Sequence, residues 1–333
     1  MHMSNYEEIF ACPACEGDLK IASSGITCLK CDSRYKVKDD IPLLYWPREQ
    51  KSSKEDITDM MREFYNDNPF PNYEESENIS DLVEKSRKWN FARLLNEQLP
   101  FNIRVLEIGC GTGQLSNFLG IAHRVVFGTD ISFNGLKLAY EFKQRNGLER
   151  VGFYQMNLFK PIFKKESFSF VICAGVLHHT ADPLAGFQSL AKLVKKGGYI
   201  IIGLYNRYGR TINTIRRFIF NVSGGRFKFL DSRLRSQDVG QVKKLAWFQD
   251  QYKNPHESRH TIGEALGWFE HAGFDFVNSI PKLEAFKDVA EQEPLFAVNP
   301  IGTKLDHFLV QASLLLNGSS EGGFFLLIGR KKE

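Results

Sequence analysis

No apolar run in this 333-residue sequence approaches the ~18 residues that a helix needs to cross a bilayer. The first residues, Met1-His2-Met3-Ser4, have no apolar core, which argues against a secretory leader. No segment repeats at a fixed period, so a solenoid or propeller is not expected. Cysteine is scarce: six residues, four of them between positions 12 and 31. Cys110 and Cys173 stand alone in apolar surroundings. That distribution does not suit a disulfide framework. It fits one metal site plus free thiols in a reducing compartment, and the expectation is a cytoplasmic protein.

What is present is ordinary for a soluble globular chain: 43% hydrophobic and 25% charged residues. The length suggests two domains, or one large domain with an appendage. Phe is abundant at 28, ample for a core and for an aromatic-lined pocket. Net charge is only +4, but it is unevenly placed. Between Arg207 and Lys244 there are ten Lys or Arg against Asp231 and Asp238, so this arm carries +8 and the rest sums to −4. Tyr208, Phe218, Phe220, Phe227 and Phe229 interleave with the cations. Such an arm is compatible with RNA, an anionic small molecule, a membrane surface or simply a solvated charged face.

Residues 1–47 read as a compact Cys-rich unit and 48–98 as a polar linker followed by a helical cap, with helices over 57–66 and 79–98. Residues 99–333 read as an α/β domain. From Ile103 short apolar runs alternate with helical stretches: strands over 103–108, 124–129, 152–155, 169–175 and 199–205, and helices over 113–120, 133–146 and 184–195. This alternation predicts a parallel sheet with helices on both faces. A lid over 207–260 interrupts it. Thr261 with Glu264 reads as a capping box opening a helix to about 272. Strands at 274–280 and 324–330 follow, separated by a second, mostly polar or irregular insertion over 281–322.

The sharpest motif is Val105-Leu106-Glu107-Ile108-Gly109-Cys110-Gly111-Thr112-Gly113. An apolar strand ends in an acid, and the next loop has Gly at every second place before a helix. Glycine lets backbone approach a ligand closely, and helix N-terminal amides attract anions. The dinucleotide fingerprint is G-x-G-x-x-G, but Gln114 occupies its third Gly position, which disfavours a dehydrogenase. Asp130 closes the next strand, 21 residues after Gly109, where an acid accepts ribose hydroxyls.

E-I-G-C-G-T-G resembles the first motif of class I methyltransferases that use S-adenosylmethionine. The resemblance implies a doubly wound, Rossmann-like seven-stranded α/β sheet and places the cofactor on Glu107, Gly109, Cys110, Gly111, Gly113, Asp130, Ile131, Asn157, Leu158 and Ala174. Asn157 stands where the family often has an Asp beside the adenine amine. Ser169 replaces the usual acid of the fourth strand. The family's D/N-P-P-Y/F signature of amino methylation is absent after that strand, where Ala174-Gly175-Val176-Leu177 stands instead. His178 and His179 follow, and the spacing of His179 to Asp182-Pro183 matches the family. Either is a candidate general base, or a structural His bonding a loop. The segment Phe64-Tyr65-Asn66-Asp67-Asn68-Pro69-Phe70-Pro71-Asn72-Tyr73 suits either a cap over a sulfonium or plain packing of its helix.

Cys12-Pro13-Ala14-Cys15 and Cys28-Leu29-Lys30-Cys31 form two C-x-x-C knuckles, the pattern of a structural zinc site with all four positions filled by Cys12, Cys15, Cys28 and Cys31. The unit resembles the small zinc-ribbon proteins that activate methyltransferases, and a protein partner through the ribbon is one implication. His256-Glu257-Ser258-Arg259-His260 fits the H-E-x-x-H pattern of zinc proteases, but Asn254-Pro255 before it and the helix start after it deny it a helix. Tyr73, Tyr205, Tyr252, His256 and His260 are instead expected to line an acceptor pocket.

The expected activity is methyl transfer to an oxygen, carbon or nitrogen of a small molecule. RNA methylation by way of ribbon and arm, and a non-catalytic scaffold that only holds the cofactor, are the other readings.

Overall fold

The computed structural model describes residues 3–22, 25–47, 57–71, 78–237, 239–316 and 323–333. The N-terminal unit is built from β1 (Leu19–Ala22), β2 (Gly25–Cys28), β3 (Arg34–Tyr35), β4 (Val37–Lys38) and β5 (Ile41–Pro42). Strands β1, β2 and β3 pair antiparallel, and β4 pairs β5. Helices α1 (Ile57–Asp67), α2 (Ile79–Lys88) and α3 (Asn90–Gln98) come next. The single helix expected over 79–98 is two. Trp89 adopts an extended backbone (φ −89°, ψ 101°) and breaks it.

The main sheet follows the expected alternation: β6 (Arg104–Ile108), α4 (Gln114–Ile121), β7 (Val125–Asp130), α5 (Phe133–Arg145), β8 (Val151–Gln155), β9 (Phe168–Ala174), α6 (Pro183–Ala191) and β10 (Val194–Tyr205). The helix expected to reach 195 ends at Ala191 instead. Val194 already pairs with Phe168, and the register shifts before Tyr199, where Gly197 takes a left-handed φ of +68°. The lid holds α7 (Thr211–Val222), α8 (Ser232–Arg235) and α9 (Gln241–Phe248). Then α10 (Ile262–His271) starts at the Thr261–Glu264 capping box, followed by β11 (Phe274–Ile280), α11 (Lys304–Leu316) and β12 (Phe324–Lys331). Helix α11 corrects the reading of 281–322 as irregular. Its sequence, His307-Phe308-Leu309-Val310-Gln311-Ala312-Ser313-Leu314-Leu315, is apolar on more than one side and shows little periodicity.

Seven strands form one sheet in the order β11-β12-β10-β9-β6-β7-β8. β12 runs antiparallel to both neighbours; the other six strands all run the same way. This is the Rossmann-like methyltransferase fold. Its near-continuous apolar strands, such as Phe170-Val171-Ile172-Cys173 and Ile200-Ile201-Ile202, are buried on both faces, as a covered parallel sheet requires. From β6 the chain winds outward through β7 to β8 and then restarts at β9 on the other side of β6, and this switch point opens a crevice at the strands' carboxyl ends.

The N-terminal unit docks on the β8 edge. Leu43 forms a parallel bridge with Gln155, and Phe10 an antiparallel bridge with Phe163. Fully buried Phe10 lies 5.0 Å from the Phe163 ring and 5.1 Å from the Tyr154 ring, and Tyr6 lies edge-on to Phe127 at 5.5 Å. The docked unit therefore covers an otherwise open sheet edge.

Candidate functional site

A cavity of about 1150 Å³ opens at the carboxyl ends of β6, β7 and β9. It exceeds the usual range of a single small-ligand site, ~300–1000 Å³, and so offers room for two molecules side by side. One end is the glycine loop. Gly109 and Gly111 take φ of +67° and +53°, a region L side chains rarely adopt. A Cβ on Gly109 would meet Val176 Cγ2 at 2.1 Å, and one on Gly111 would meet the Phe70 carbonyl oxygen at 2.0 Å. The loop is thus threaded between the β9 exit and the segment after α1.

Asp130 is buried at the tip of β7. Its carboxylate accepts from the Gly111 amide at 2.7 Å and the Ser132 amide at 2.8 Å, which fixes its orientation. Burial pushes its pKa up, and those amides work against the rise. Glu107 sits deeper. Burial pushes its carboxyl up to about 7, and the Ser116 hydroxyl donates to it. Ile131, Met156, Asn157 and Leu158 form the next stretch of wall, then Ala174 and Gly175. Gly175 has φ +84° and open space where a Cβ would stand.

These residues fit S-adenosylmethionine. A fixed carboxylate faces a cavity beside apolar walls, and the backbone at Gly175 leaves a side-chain-sized space clear. Glu107, Gly109, Cys110, Gly111, Asp130, Ile131, Asn157, Leu158 and Ala174 all line the cavity. Gly113 does not. A Cβ there would strike Ala139 at 2.6 Å and Phe153 at 2.7 Å, so its bare α-carbon serves the packing of α4. Asn157 is partly committed: its carbonyl accepts from the Phe159 amide at 3.1 Å, and its amide donates to the Trp46 carbonyl at 2.9 Å.

The far end of the cavity is polar and lies under the lid. His179 lines it together with Tyr65, Tyr205, Asp250 and Gln251. His179 Nδ1 donates to the His256 carbonyl at 2.8 Å, so in the neutral ring Nε2 carries the lone pair. Burial lowers its pKa, which keeps the ring neutral at pH 7. The Tyr65 hydroxyl donates to Asp250 at 3.1 Å, and the Gln251 amide donates to both the Tyr205 hydroxyl and Asp250 at 2.8 Å. Arg210, also buried, lies 3.8 Å over the Tyr205 ring and forms a two-pronged pair with Glu257 at 2.9 and 2.6 Å.

His178 is walled off from the cavity. It is fully buried, its ring is 4.0 Å from that of Tyr205, and neither nitrogen makes a well-formed hydrogen bond. Burial, then the neighbouring His179, holds its pKa well below the usual value. Three of the residues expected in the acceptor pocket are elsewhere. Tyr252 packs on Phe220 and Phe248 and donates to Asp231 at 2.5 Å. His256 Nε2 donates to the Thr180 carbonyl at 3.1 Å. His260 lies between Ser258 (2.9 Å) and Glu264 (2.8 Å) at the root of the lid. Tyr252 belongs to the lid's own core, and His256 and His260 fasten the lid to the segment after β9 and to the end of β10; none of the three lines the cavity. Tyr73 lies outside the described residues. The segment 254–260 is not helical, and Glu257 is taken up by Arg210 and Arg259.

Asp250 and Gln251 are not legible as site residues in the sequence, and Tyr65 is legible only as part of the segment that suits a cap or packing. Asp250 and Gln251 are distant along the chain from Tyr65 and His179, and no motif links them. Phe70 and Pro71 lie in the segment that suits a cap or packing, and both line the cavity.

In the N-terminal unit the four sulfurs of Cys12, Cys15, Cys28 and Cys31 all lie within 4.8 Å of one another, with Cys15–Cys28 at 3.5 Å and Cys12–Cys31 at 3.7 Å. A tetrahedral zinc with Zn–S of ~2.3 Å needs sulfurs about 3.8 Å apart, so the cluster fits that ion. The Lys30 amide points at Cys28 Sγ (3.3 Å), and the Tyr35 hydroxyl lies 2.9 Å from Cys12 Sγ. The Ser33 hydroxyl and amide lower the Cys31 thiol to about 6.

An uncharacterized protein of Synechococcus sp. is 29% identical over 198 residues, covering 52% of this chain and 48% of its own. A ubiquinone biosynthesis O-methyltransferase of Haemophilus ducreyi is 29% identical over 131 residues, covering 38% of this chain and 53% of its own. The chain thus spans about half the length of these curated relatives. Among solved structures, PKMT2 of Rickettsia typhi superposes with a TM-score of 0.51 at 14% identity, covering 74% of this chain and 54% of its own, a likeness of fold. Residues 106–202, which carry the glycine loop, Asp130 and His179, match the family model described as a methyltransferase domain.

Proposed function

We propose that this chain transfers the methyl group of S-adenosylmethionine to a hydroxyl of a small, largely apolar acceptor. The observation that carries the reading is one continuous cavity, running from the glycine loop and Asp130 to His179 beneath the lid. Bound there, the cofactor supplies an activated methyl on a sulfonium.

The chain's own residues would do the rest. Asp130 holds the ribose hydroxyls, already oriented by two amides. Ile131, Met156 and Leu158 give a flat ring apolar walls. Tyr65, Tyr205, Asp250 and Gln251 orient the acceptor from the lid side. Neutral His179, its Nδ1 tied to a carbonyl, would take the hydroxyl proton on Nε2 as the acceptor attacks. His178 has no route to the acceptor and is assigned no proton transfer. Met61, Ile280, Val289, Leu314 and Leu326 give the cavity an apolar lining that favours a small apolar body, while Lys88, Lys287 and Asp288 stand at its exposed positions. The O-methyltransferase relatives support an oxygen nucleophile. The four cysteines would hold structural zinc. The apolar face of that ribbon packs on the chain's own sheet edge.

Calorimetric titration with S-adenosylmethionine and with NAD tests the cofactor. Asp130→Ala should weaken S-adenosylmethionine on the order of 100-fold, since two hydrogen bonds to a charged group are lost. Preference for NAD would overturn the reading. With labelled methyl and an acceptor in hand, His179→Gln should lower kcat by roughly 10²–10⁴ while cofactor affinity holds.

A further inference from the structure

The lid is apolar on two sides, and only one of them is covered. Helix α7 buries Asn213 and Phe220, the latter against Phe248 and Tyr252. Ile215, Phe218 and Val222, spaced three and four residues apart, form a second stripe facing solvent at 54%, 69% and 74% exposure. Val242 and Leu245, one turn apart on α9, are more than half exposed, as is Phe229 between the helices. Nine of the twenty exposed large apolar side chains among the described residues fall between 208 and 245, so this is a concentrated patch and not scattered exposure. The same stretch holds the +8 excess of charge.

We infer that this outer face of the lid docks on the surface of an anionic lipid bilayer. The charge selects the occupant. A second copy of the chain would bring one +8 arm against another. Nucleic acid would match the charge and could stack on Tyr208, Phe218, Phe227 and Phe229, but it has no use for Ile215, Val222, Leu230, Val242 and Leu245, which do not stack on bases. An anionic bilayer takes both features: apolar side chains sink into the headgroup boundary and Lys and Arg meet lipid phosphates. No helix among the described residues is long and apolar enough to cross a membrane, so the contact lies on the surface. The lid's inner side, with Trp247, Asp250 and Gln251, lines the cavity. That docking delivers an acceptor dissolved in the lipid rests on the function proposed above; the docking itself does not.

Flotation of the full, zinc-loaded chain with vesicles tests it. The chain should float with mixed phosphatidylcholine–phosphatidylglycerol vesicles, less as salt rises, and not with phosphatidylcholine alone. Ile215→Ser/Phe218→Ser/Val222→Ser removes only exposed side chains, and Arg226→Glu/Arg235→Glu reverses two exposed charges. Each should weaken partition on the order of tenfold or more while melting temperature and S-adenosylmethionine affinity hold. Absence of flotation, equal flotation on phosphatidylcholine, indifference to both variants, or release by total tRNA at equal phosphate would each overturn the docking. Failure to bind S-adenosylmethionine with flotation intact would overturn only the enzyme.

Discussion

Two modules are added to the seven-stranded sheet, and they are fastened by opposite chemistry. The N-terminal ribbon meets the β8 edge through rings, with Phe10, Tyr154, Phe163 and Phe127 packed in one buried group. The lid meets the β10 end through polar groups. Arg210, paired with Glu257 at the lid's root, stacks on the Tyr205 ring at 3.8 Å, and the Ser258 amide donates to the His178 carbonyl at 2.7 Å. Internally the contrast reverses. The ribbon has too few residues for a core and gathers four thiols within ligand distance. The lid has its own small apolar core of Phe220, Phe248 and Tyr252. An apolar seam is permanent by default, because nothing common in water weakens it. A seam of charges and histidines responds to salt and pH, which suits a cover that must open for substrate.

The largest effect should come from metal. Structural zinc in small ribbons is worth ~10–16 kcal/mol of folding. Chelation, or Cys12→Ser with Cys28→Ser, should abolish hydrogen-exchange protection over residues 3–47 and loosen Tyr154 and Phe163 beneath, while the lid stays protected. Full ribbon protection without metal would show that its rings suffice.

Next is the lid's ion pair. Arg210→Met leaves Glu257 charged and buried, a loss of about 3–5 kcal/mol. Adding Glu257→Leu should recover most of it, because the lone charge goes too. Thermal melts and protease cleavage within 207–260 report both. If the double variant is no better than the single one, the Tyr205 stacking and the bond that Arg210 donates to the Gln251 side-chain carbonyl matter more than charge.

Mild acid should have the smallest effect and the clearest direction. His178 and His179 have folded pKa values lowered from 6.5 by burial. An opened lid lets them take up protons that the closed state refuses, so closure is favoured above about 6.5 and weakens as pH falls below it. The described ribbon residues contain no histidine. With zinc in excess to hold the ribbon's thiolates, exchange between pH 7 and 5, corrected for its intrinsic pH dependence, should therefore rise at the lid more than at the ribbon. Equal change in both would remove the contrast.

Much of the fold and of the cofactor end of the site is legible in the amino-acid sequence. The alternation of strand and helix, the glycine loop with its trailing acid and the Thr261–Glu264 cap are local patterns, fixed by spacing within a few residues. The boundaries that differ have tertiary causes. Trp89 breaks a helix whose periodicity runs straight through it, and the pairing of Val194 with β9 ends a helix that propensity would extend. Gly113 belongs to the glycine motif yet faces Phe153, because the pattern records backbone freedom and not the direction in which it is used. Tyr252, His256 and His260 resemble pocket residues on polarity alone, and polarity cannot tell a substrate contact from a contact inside the lid or at its root.

By itself the sequence determined the α/β class, the cysteine quartet, the loop with its Glu107 and Asp130, and a basic arm rich in aromatics. Each depends on short-range spacing that the chain carries with it. Only the tertiary structure decided that Tyr65, Asp250 and Gln251 meet His179, and that Arg210 finds Glu257. It also decided that one face of α7 is covered and the other open. Those are contacts between residues dozens to nearly two hundred positions apart. Chain spacing holds no record of them, because they follow from which surfaces the sheet order brings together.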